Sequence, residues 1–265
     1  MLRGMGKKLG SARQMTATPD VRAKTAELWL VDLARSGPIL QRLERELPRL
    51  GAAERGFVLA RADAERRLGA HVALRVLLER LSGDTARGKD FVRLAGGKPS
   101  LEGHGHDVAF SLSHADDLAL IGLARGSPIG VDLEGVRAVT LSAARRQQIL
   151  KAAAALAPVP LLAAPADATF VQAWVRLEAL AKASGAGLAR TLTALGVWHG
   201  PISGADVAAL ARRHLLRSGL KVHDLALRPG SIGAVAIAAQ LDPPVPRSFP
   251  VDRAGIDALI GAPST

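Results

Sequence analysis

Between Phe110 and Glu134 the chain reads FSLSHADDLALIGLARGSPIGVDLE, and no other stretch restricts the fold as tightly. Apolar or alternating runs at Val108–Ser113 and Leu118–Ala124, then Ile129–Glu134 beyond the Gly126-Ser127-Pro128 turn, predict three short strands joined by tight connections. Each strand ends in polar chemistry: the first closes on Ser113-His114, and the third carries Asp132 and Glu134. Side chains at i and i+2 leave a strand on one face, so the two carboxylates point together while Leu133 turns the other way, into a core. At a rise of roughly 3.3 Å per residue their Cα atoms stand about 6.6 Å apart. Charges at that spacing repel by roughly 2–3 kcal/mol at an effective dielectric of about 20, so a cation is expected beside them if they are partly buried. Oxygen-only ligands suit Mg2+ better than zinc.

The 265 residues suffice for one large domain or two small ones with a shared core, and the 48% apolar content excludes a disordered chain. The absence of cysteine rules out disulfides, thiolate metal sites and cysteine nucleophiles, and is compatible with a reducing cytosol. No apolar run approaches the roughly 20 residues that cross a bilayer, and the N-terminus lacks an apolar signal core; a soluble, cytoplasmic protein without membrane contact is expected. The net charge of +11 asks for a polyanionic partner. Nucleic acid is the common one, but there is no tyrosine and few other aromatics, so the chain can hardly build platforms for base stacking. Phosphorylated small molecules or acidic proteins fit the charge at least as well.

Met1–Pro19 carries Arg3, Lys7, Lys8 and Arg13 with no acid and reads as a disordered basic tail. A strand is expected at Leu28–Leu33, a short helix at Ile39–Glu46 after Gly37-Pro38, and a longer helix over Arg61–Leu81, with Leu74, Leu77, Leu78 and Leu81 in one stripe and Gly83 as its stop. Arg66 falls about 80° from Leu74 at about 100° per residue, at the edge of that stripe, where an arginine either stays in solvent or reaches over into a cleft. A strand at Phe91–Leu94 leads into Gly96-Gly97-Lys98-Pro99, a turn whose glycines let the backbone approach a ligand. His104-Gly105-His106 reads as a solvent-exposed loop, since no third metal ligand accompanies the histidines.

Beyond the central stretch come a helix at Leu141–Ala155, an Ala- and Pro-rich linker or loop at Pro158–Pro165, and a helix at Ala166–Ser184. That last helix places Glu178 and Lys182 four residues apart on one face and closes at Gly185 and Gly187. Strands are expected at Thr193–Trp198, Lys221–Ala226 and Ala234–Gln240, with a helix at Gly204–Arg212. Pro243–Thr265 reads as a Pro-containing tail with one helical turn at Ala254–Ile260. The organisation is thus a tail over 1–19, an N-terminal α+β half over 20–128, a C-terminal α+β half over 129–242 and a tail over 243–265.

Four motifs follow one another: Gly97-Lys98-Pro99, the F-S-x-S-H of Phe110–His114, the G-x-D-x-E of Gly130–Glu134, and WVRLEALAKASGAGL from Trp174 to Leu188. In this order they resemble the 4′-phosphopantetheinyl transferases of the larger, surfactin-synthetase-activating class, densely over about Arg61–Leu188 and thinly outside it. The resemblance implies an α+β pseudo-dimer, two similar halves with the active site in the cleft between them, acting as a monomer. It also implies a reaction that moves the phosphopantetheine arm of coenzyme A onto a serine of an apo acyl or peptidyl carrier protein, releasing adenosine 3′,5′-bisphosphate.

By position, the resemblance gives Asp132, Glu134 and Glu178 to Mg2+ against the pyrophosphate, and Lys182 to the pyrophosphate itself. Ser113 and His114 would contact phosphate groups, Arg66 the 3′-phosphate, and Lys98 and Pro99 would lie along the adenine. Glu178 is the suggested base for the carrier serine, with a metal-bound water as the alternative. The family's lysine before the glutamate is Leu177 here, and Arg176 beside it is rotated by about 100° and cannot stand in without a shifted pose. Two other readings use the same residues: a Mg2+-dependent phosphohydrolase of a coenzyme A-like diphosphate, and a non-catalytic basic binding protein.

Overall fold

The computed structural model describes residues 25–94, 96–102, 108–163, 165–198 and 206–262, and these form a mixed α+β protein. The first half runs β1 (Thr25–Asp32), α1 (Leu33–Glu46), α2 (Ala52–Leu59), α3 (Ala64–Ser82), the two-residue strands β2 (Val92–Arg93) and β3 (Pro99–Ser100), β4 (Val108–Ala115) and β5 (Leu118–Arg125). The second half runs β6 (Ile129–Gly135), α4 (Ala143–Ala154), α5 (Ala166–Ser184), α6 (Leu188–Ala194), α7 (Val207–Ser218), β7 (Leu220–Leu225) and β8 (Ser231–Ala238), and the chain continues through β9 (Arg247–Ser248) to α8 (Arg253–Gly261).

The halves share a topology. One sheet has the order β4-β5-β1, with β9 added beyond β1, and the other has the order β7-β8-β6; the six main strands pair antiparallel throughout. In each half an opening strand is followed by helices, one of them 19 residues long, before two further strands complete the sheet.

Strand alternation sorts the side chains into layers. On β1 and β5, Trp29, Val31, Ala119, Ile121 and Leu123 pack on the α3 side, while Leu28, Leu118, Leu120 and Ala124 face a core shared with the other sheet. On β6, Ile129, Val131 and Leu133 enter that shared core. Gly130, Asp132 and Glu134 therefore face the side on which α5 lies. The helix comes unusually close there: a Cβ at Gly130 would stand 2.2 Å from the Ala179 carbonyl oxygen and 2.3 Å from the Ala183 nitrogen. The turn of the first half meets the end of the same helix, since a Cβ at Gly96 would lie 1.6 Å from the Gly185 carbonyl oxygen.

Several boundaries differ from those expected. Helix α1 begins at Leu33, because Asp32 caps it by accepting from the Arg35 amide at 3.1 Å, and Gly37 and Pro38 lie inside it rather than before it. Thr193–Trp198 is not a strand: Leu195 and Val197 are buried, but their amides bond back to the Thr191 and Leu192 carbonyls as α6 ends. The Pro158–Pro165 segment is tied to α5 by Arg176, which donates to the Val159 carbonyl, and by Gln172, which accepts from the Leu162 amide. Residues 247–261 are no tail. Strand β9 pairs in parallel with β1, and Phe249 and Ile256 are buried in the first core, which overrides the loop-like proline content. The 1–19 segment and the His104-Gly105-His106 loop lie outside the described residues. Among the described residues no helix is long and apolar enough to cross a membrane.

Gly130→Ala would force β6 and α5 apart. Overpacking of this kind costs about 2 kcal/mol or more, read as a lower urea midpoint with an unchanged denaturant slope.

Candidate functional site

Strand β6 carries Asp132 and Glu134 toward α5, and one helical turn after Trp174 that helix presents Glu178, then Lys182 a turn later. Carboxylate oxygens of Asp132, Glu134 and Glu178 all lie within 4.8 Å of one another. Asp132 is 2% exposed. Its Oδ1 accepts from Lys182 Nζ at 2.6 Å and from Ser113 Oγ at 2.8 Å. Its Oδ2 is buried and has no hydrogen-bond partner among the described residues. A buried carboxylate with one oxygen unpartnered, clustered with two further carboxylates, fits a hard divalent cation, which prefers oxygen ligands.

The electrostatics of the group follow from burial. Glu178 is pushed up to about 7, first by desolvation and then by the neighbouring Asp132 charge. Glu134 is raised for the same two reasons, with Arg137, 3.6 Å away, opposing. Trp174 Nε1 donates to Glu178 Oε2 at 2.9 Å and fixes the carboxylate. Trp174 opens the fourth motif, and its place four residues before Glu178 is the signal for this contact.

The cleft beside the triad, about 510 Å³, is lined from both halves by Lys182 and Glu178 of α5, Lys98 of the Gly-Gly turn, and Phe57, Phe91 and Phe110. Lys98 Nζ donates to the Ile129 carbonyl at 2.6 Å. Pro99 sits in β3 on the cleft wall, and Arg75 stacks its guanidinium 3.7 Å from the centroid of the Phe91 ring. Farther in, Glu54 holds both Arg75 and His71, and Asp90 caps α2 by accepting from the Ala53 and Glu54 amides.

Ser113 and His114 part company. Adjacent residues of a strand face opposite ways, so Ser113 turns to Asp132 while His114 turns toward α3 and donates from Nε2 to Asp63 at 2.9 Å. Burial lowers His114, leaving its ring neutral near pH 7, and Asp63 is held at about 2 by His114 and Arg67. Arg66 is not brought to this group. It forms an exposed ion pair with Asp117 at 2.7 Å, whereas Arg67, about 100° around the helix, reaches Asp63. Ser111, two residues before Ser113 and on the same face, accepts from the Val131 amide at 3.0 Å, so two serines of β4 stitch the unpaired edge of β6. Arg176 is fully buried, bonded to Asp224 and to the Ala153 and Val159 carbonyls, and anchors α5 in the second core away from the cleft.

Lys98 supplies a pH test. Burial lowers its ammonium from 10.5 to about 8, against the support of the Ile129 carbonyl. The unfolded chain therefore binds more protons than the folded one between those values, and this lysine's penalty is full below about pH 8 and fades as pH rises toward 10.5. Lys98→Met should raise stability by about 1 kcal/mol at pH 7, after discounting for partial exposure and the lost hydrogen bond, with a smaller gain at pH 10. Paired urea titrations at the two pH values measure it.

No protein-family model matches this chain, and no curated protein matches it significantly.

Proposed function

We propose that this chain is a Mg2+-dependent 4′-phosphopantetheinyl transferase, moving the phosphopantetheine arm of coenzyme A to a serine of an apo acyl or peptidyl carrier protein. The observation that carries this reading is the meeting of three carboxylates, with oxygens within 4.8 Å, beside two lysines on the wall of one cleft between topologically equivalent halves. Transfer of a phosphoryl group from a diphosphate depends on holding it in line and neutralising its charge. Mg2+ at the triad would supply Lewis-acid neutralisation of the diphosphate oxygens.

The chain's own groups have distinct tasks in this reaction. Lys182 and Lys98 orient the diphosphate as point charges, and an anion in the cleft would offset the burial that disfavours the Lys98 ammonium. The aromatic wall of Phe57, Phe91 and Phe110 offers flat apolar surface to the adenine, with Pro99 beside it. A second hollow of about 700 Å³, which Glu134 of the triad borders and Leu141, Phe170, Trp174 and Trp198 line, would take the narrow pantetheine arm. Glu178, oriented by the Trp174 Nε1–H on its Oε2 and lining the cleft, stands as the base for the proton of the incoming serine. The excess of positive charge steers coenzyme A and an acidic carrier toward the cleft.

Incubation with coenzyme A, Mg2+ and a panel of apo carrier proteins should add about 340 Da to the carrier serine. No mass shift on any carrier overturns the reading. Glu134→Gln should slow transfer about a hundredfold or more while leaving the unfolding midpoint nearly unchanged, because losing a charge beside Asp132 relieves repulsion. Asp132→Asn should slow it as much and also lower the midpoint, because Lys182 loses its partner. Release of free 4′-phosphopantetheine without a carrier would point instead to a phosphohydrolase. Salt-sensitive nucleic-acid binding that survives both substitutions would point to a basic binding protein.

A further inference from the structure

The pairing of Lys182 with Asp132 has a consequence for the triad itself, and it rests on the divalent-cation reading of that triad. The ammonium group lies 2.6 Å from Asp132 Oδ1, on a residue buried to 2% exposure, while Oδ2 of the same carboxylate has no partner among the described residues. Glu134 and Glu178 complete a pocket of three acids whose oxygens lie within 4.8 Å of one another. Lys182 is the only side-chain ammonium bonded to this group among the described residues, and it is 31% exposed and lines the cleft. We infer that Lys182 is the site's internal counter-ion: it neutralises Asp132 when no divalent cation is bound, competes with that cation, and is freed into the cleft when the cation arrives.

The physical grounds are short-range. A dication held by Asp132 Oδ2, Glu134 and Glu178 would sit within a few ångströms of an ammonium bound to Oδ1, and like charges at that distance in a partly buried site cannot share one carboxylate cheaply. Of the two, only the lysine has somewhere to go. Its four-carbon stem is flexible, its head already borders open cleft, and Ser113 Oγ remains to hold Oδ1 after it leaves. One side chain thereby links cation and anion binding, since the amine displaced from the triad is the one that meets a negative ligand in the cleft. Such a linkage is reciprocal: an anionic ligand that draws Lys182 away strengthens cation binding by the same factor.

The test uses the full chain without coenzyme A or carrier, at pH 8. Mn2+ binding is followed by the loss of the free-ion electron paramagnetic resonance signal, for wild type, Lys182→Met and Asp132→Asn. Lys182→Met should bind Mn2+ about tenfold more tightly or better, a difference of about 1.4 kcal/mol, and Asp132→Asn should bind it far more weakly than wild type. In wild type, acetylation of Lys182 by a water-soluble active ester, mapped by mass spectrometry, should accelerate severalfold as Mn2+ saturates the site. In Asp132→Asn it should already be fast without metal. Equal or weaker Mn2+ binding by Lys182→Met, Mn2+ binding that Asp132→Asn retains, or acetylation that ignores the metal would each overturn the inference. These outcomes are separable from the transferase reading: a chain that modifies carriers but shows no effect at Lys182 loses only the counter-ion role, and one that shows the effect but modifies no carrier loses only the transferase role.

Discussion

A missing side chain sets the geometry on which everything else depends. At Gly130 a single hydrogen lets the backbone of α5 lie against β6, where even one methyl group would collide with the Ala179 carbonyl and the Ala183 amide. That approach brings two carboxylates from a strand and one from a helix to a common point, and it sets the helix end where the Gly-Gly turn of the other half rests on Gly185. The triad, the cleft and the contact between halves are therefore not three separate achievements of packing. They follow from one close contact, held by the apolar layers on either side of β6.

Charge is distributed by the same economy of space. Near the cleft, cations and anions are held in internal pairs: Lys182 with Asp132, Arg67 with Asp63, Arg75 with Glu54. Deeper in each half, Arg49 pairs with Glu79 and Arg176 with Asp224, so several arginines counted in the net charge belong to the interior. Such pairs return little net stability, because desolvation offsets most of the attraction, but removing one partner leaves a buried charge uncompensated. They act as specifications of geometry. Arg176 illustrates this: it locks α5 to β7 and to the Pro-rich segment, and the helix it locks is the one that carries Glu178 and Lys182.

How much of this was legible in the sequence depended on the range of the interaction. Period two put Asp132 and Glu134 on one face, and period 3.6 put Glu178 and Lys182 on another; both are local rules and both hold. The same rule of period two, applied to Ser113 and His114, requires them to face apart, Ser113 to Asp132 and His114 to Asp63. Arg66 and Arg67 differ by one step around a helix, and nothing local distinguishes the one that pairs with Asp117 on the surface from the one that turns to Asp63. Leu195 and Val197 alternate like a strand but are buried by a helix end folding back, because alternation reports which residues are inside and not which backbone puts them there. Least visible was the final segment, whose prolines suggest a loop while its attachment is to residues more than two hundred positions earlier.

That late attachment bears on how the chain comes to be folded during synthesis. The first sheet and its helices emerge early, yet their hydrophobic interior is closed by Phe249 and Ile256, and β1 gains its last neighbour from Arg247 and Ser248. On a ribosome delivering residues from the N-terminus onward, the first half must wait, with part of its core open, until the segment through Ile256 has been made. The second half, whose own helices and strands are all encoded between Ile129 and Ala238, has no such wait. The half translated second can thus be the first to finish, and loss of residues 247–261 would injure the first half rather than the second.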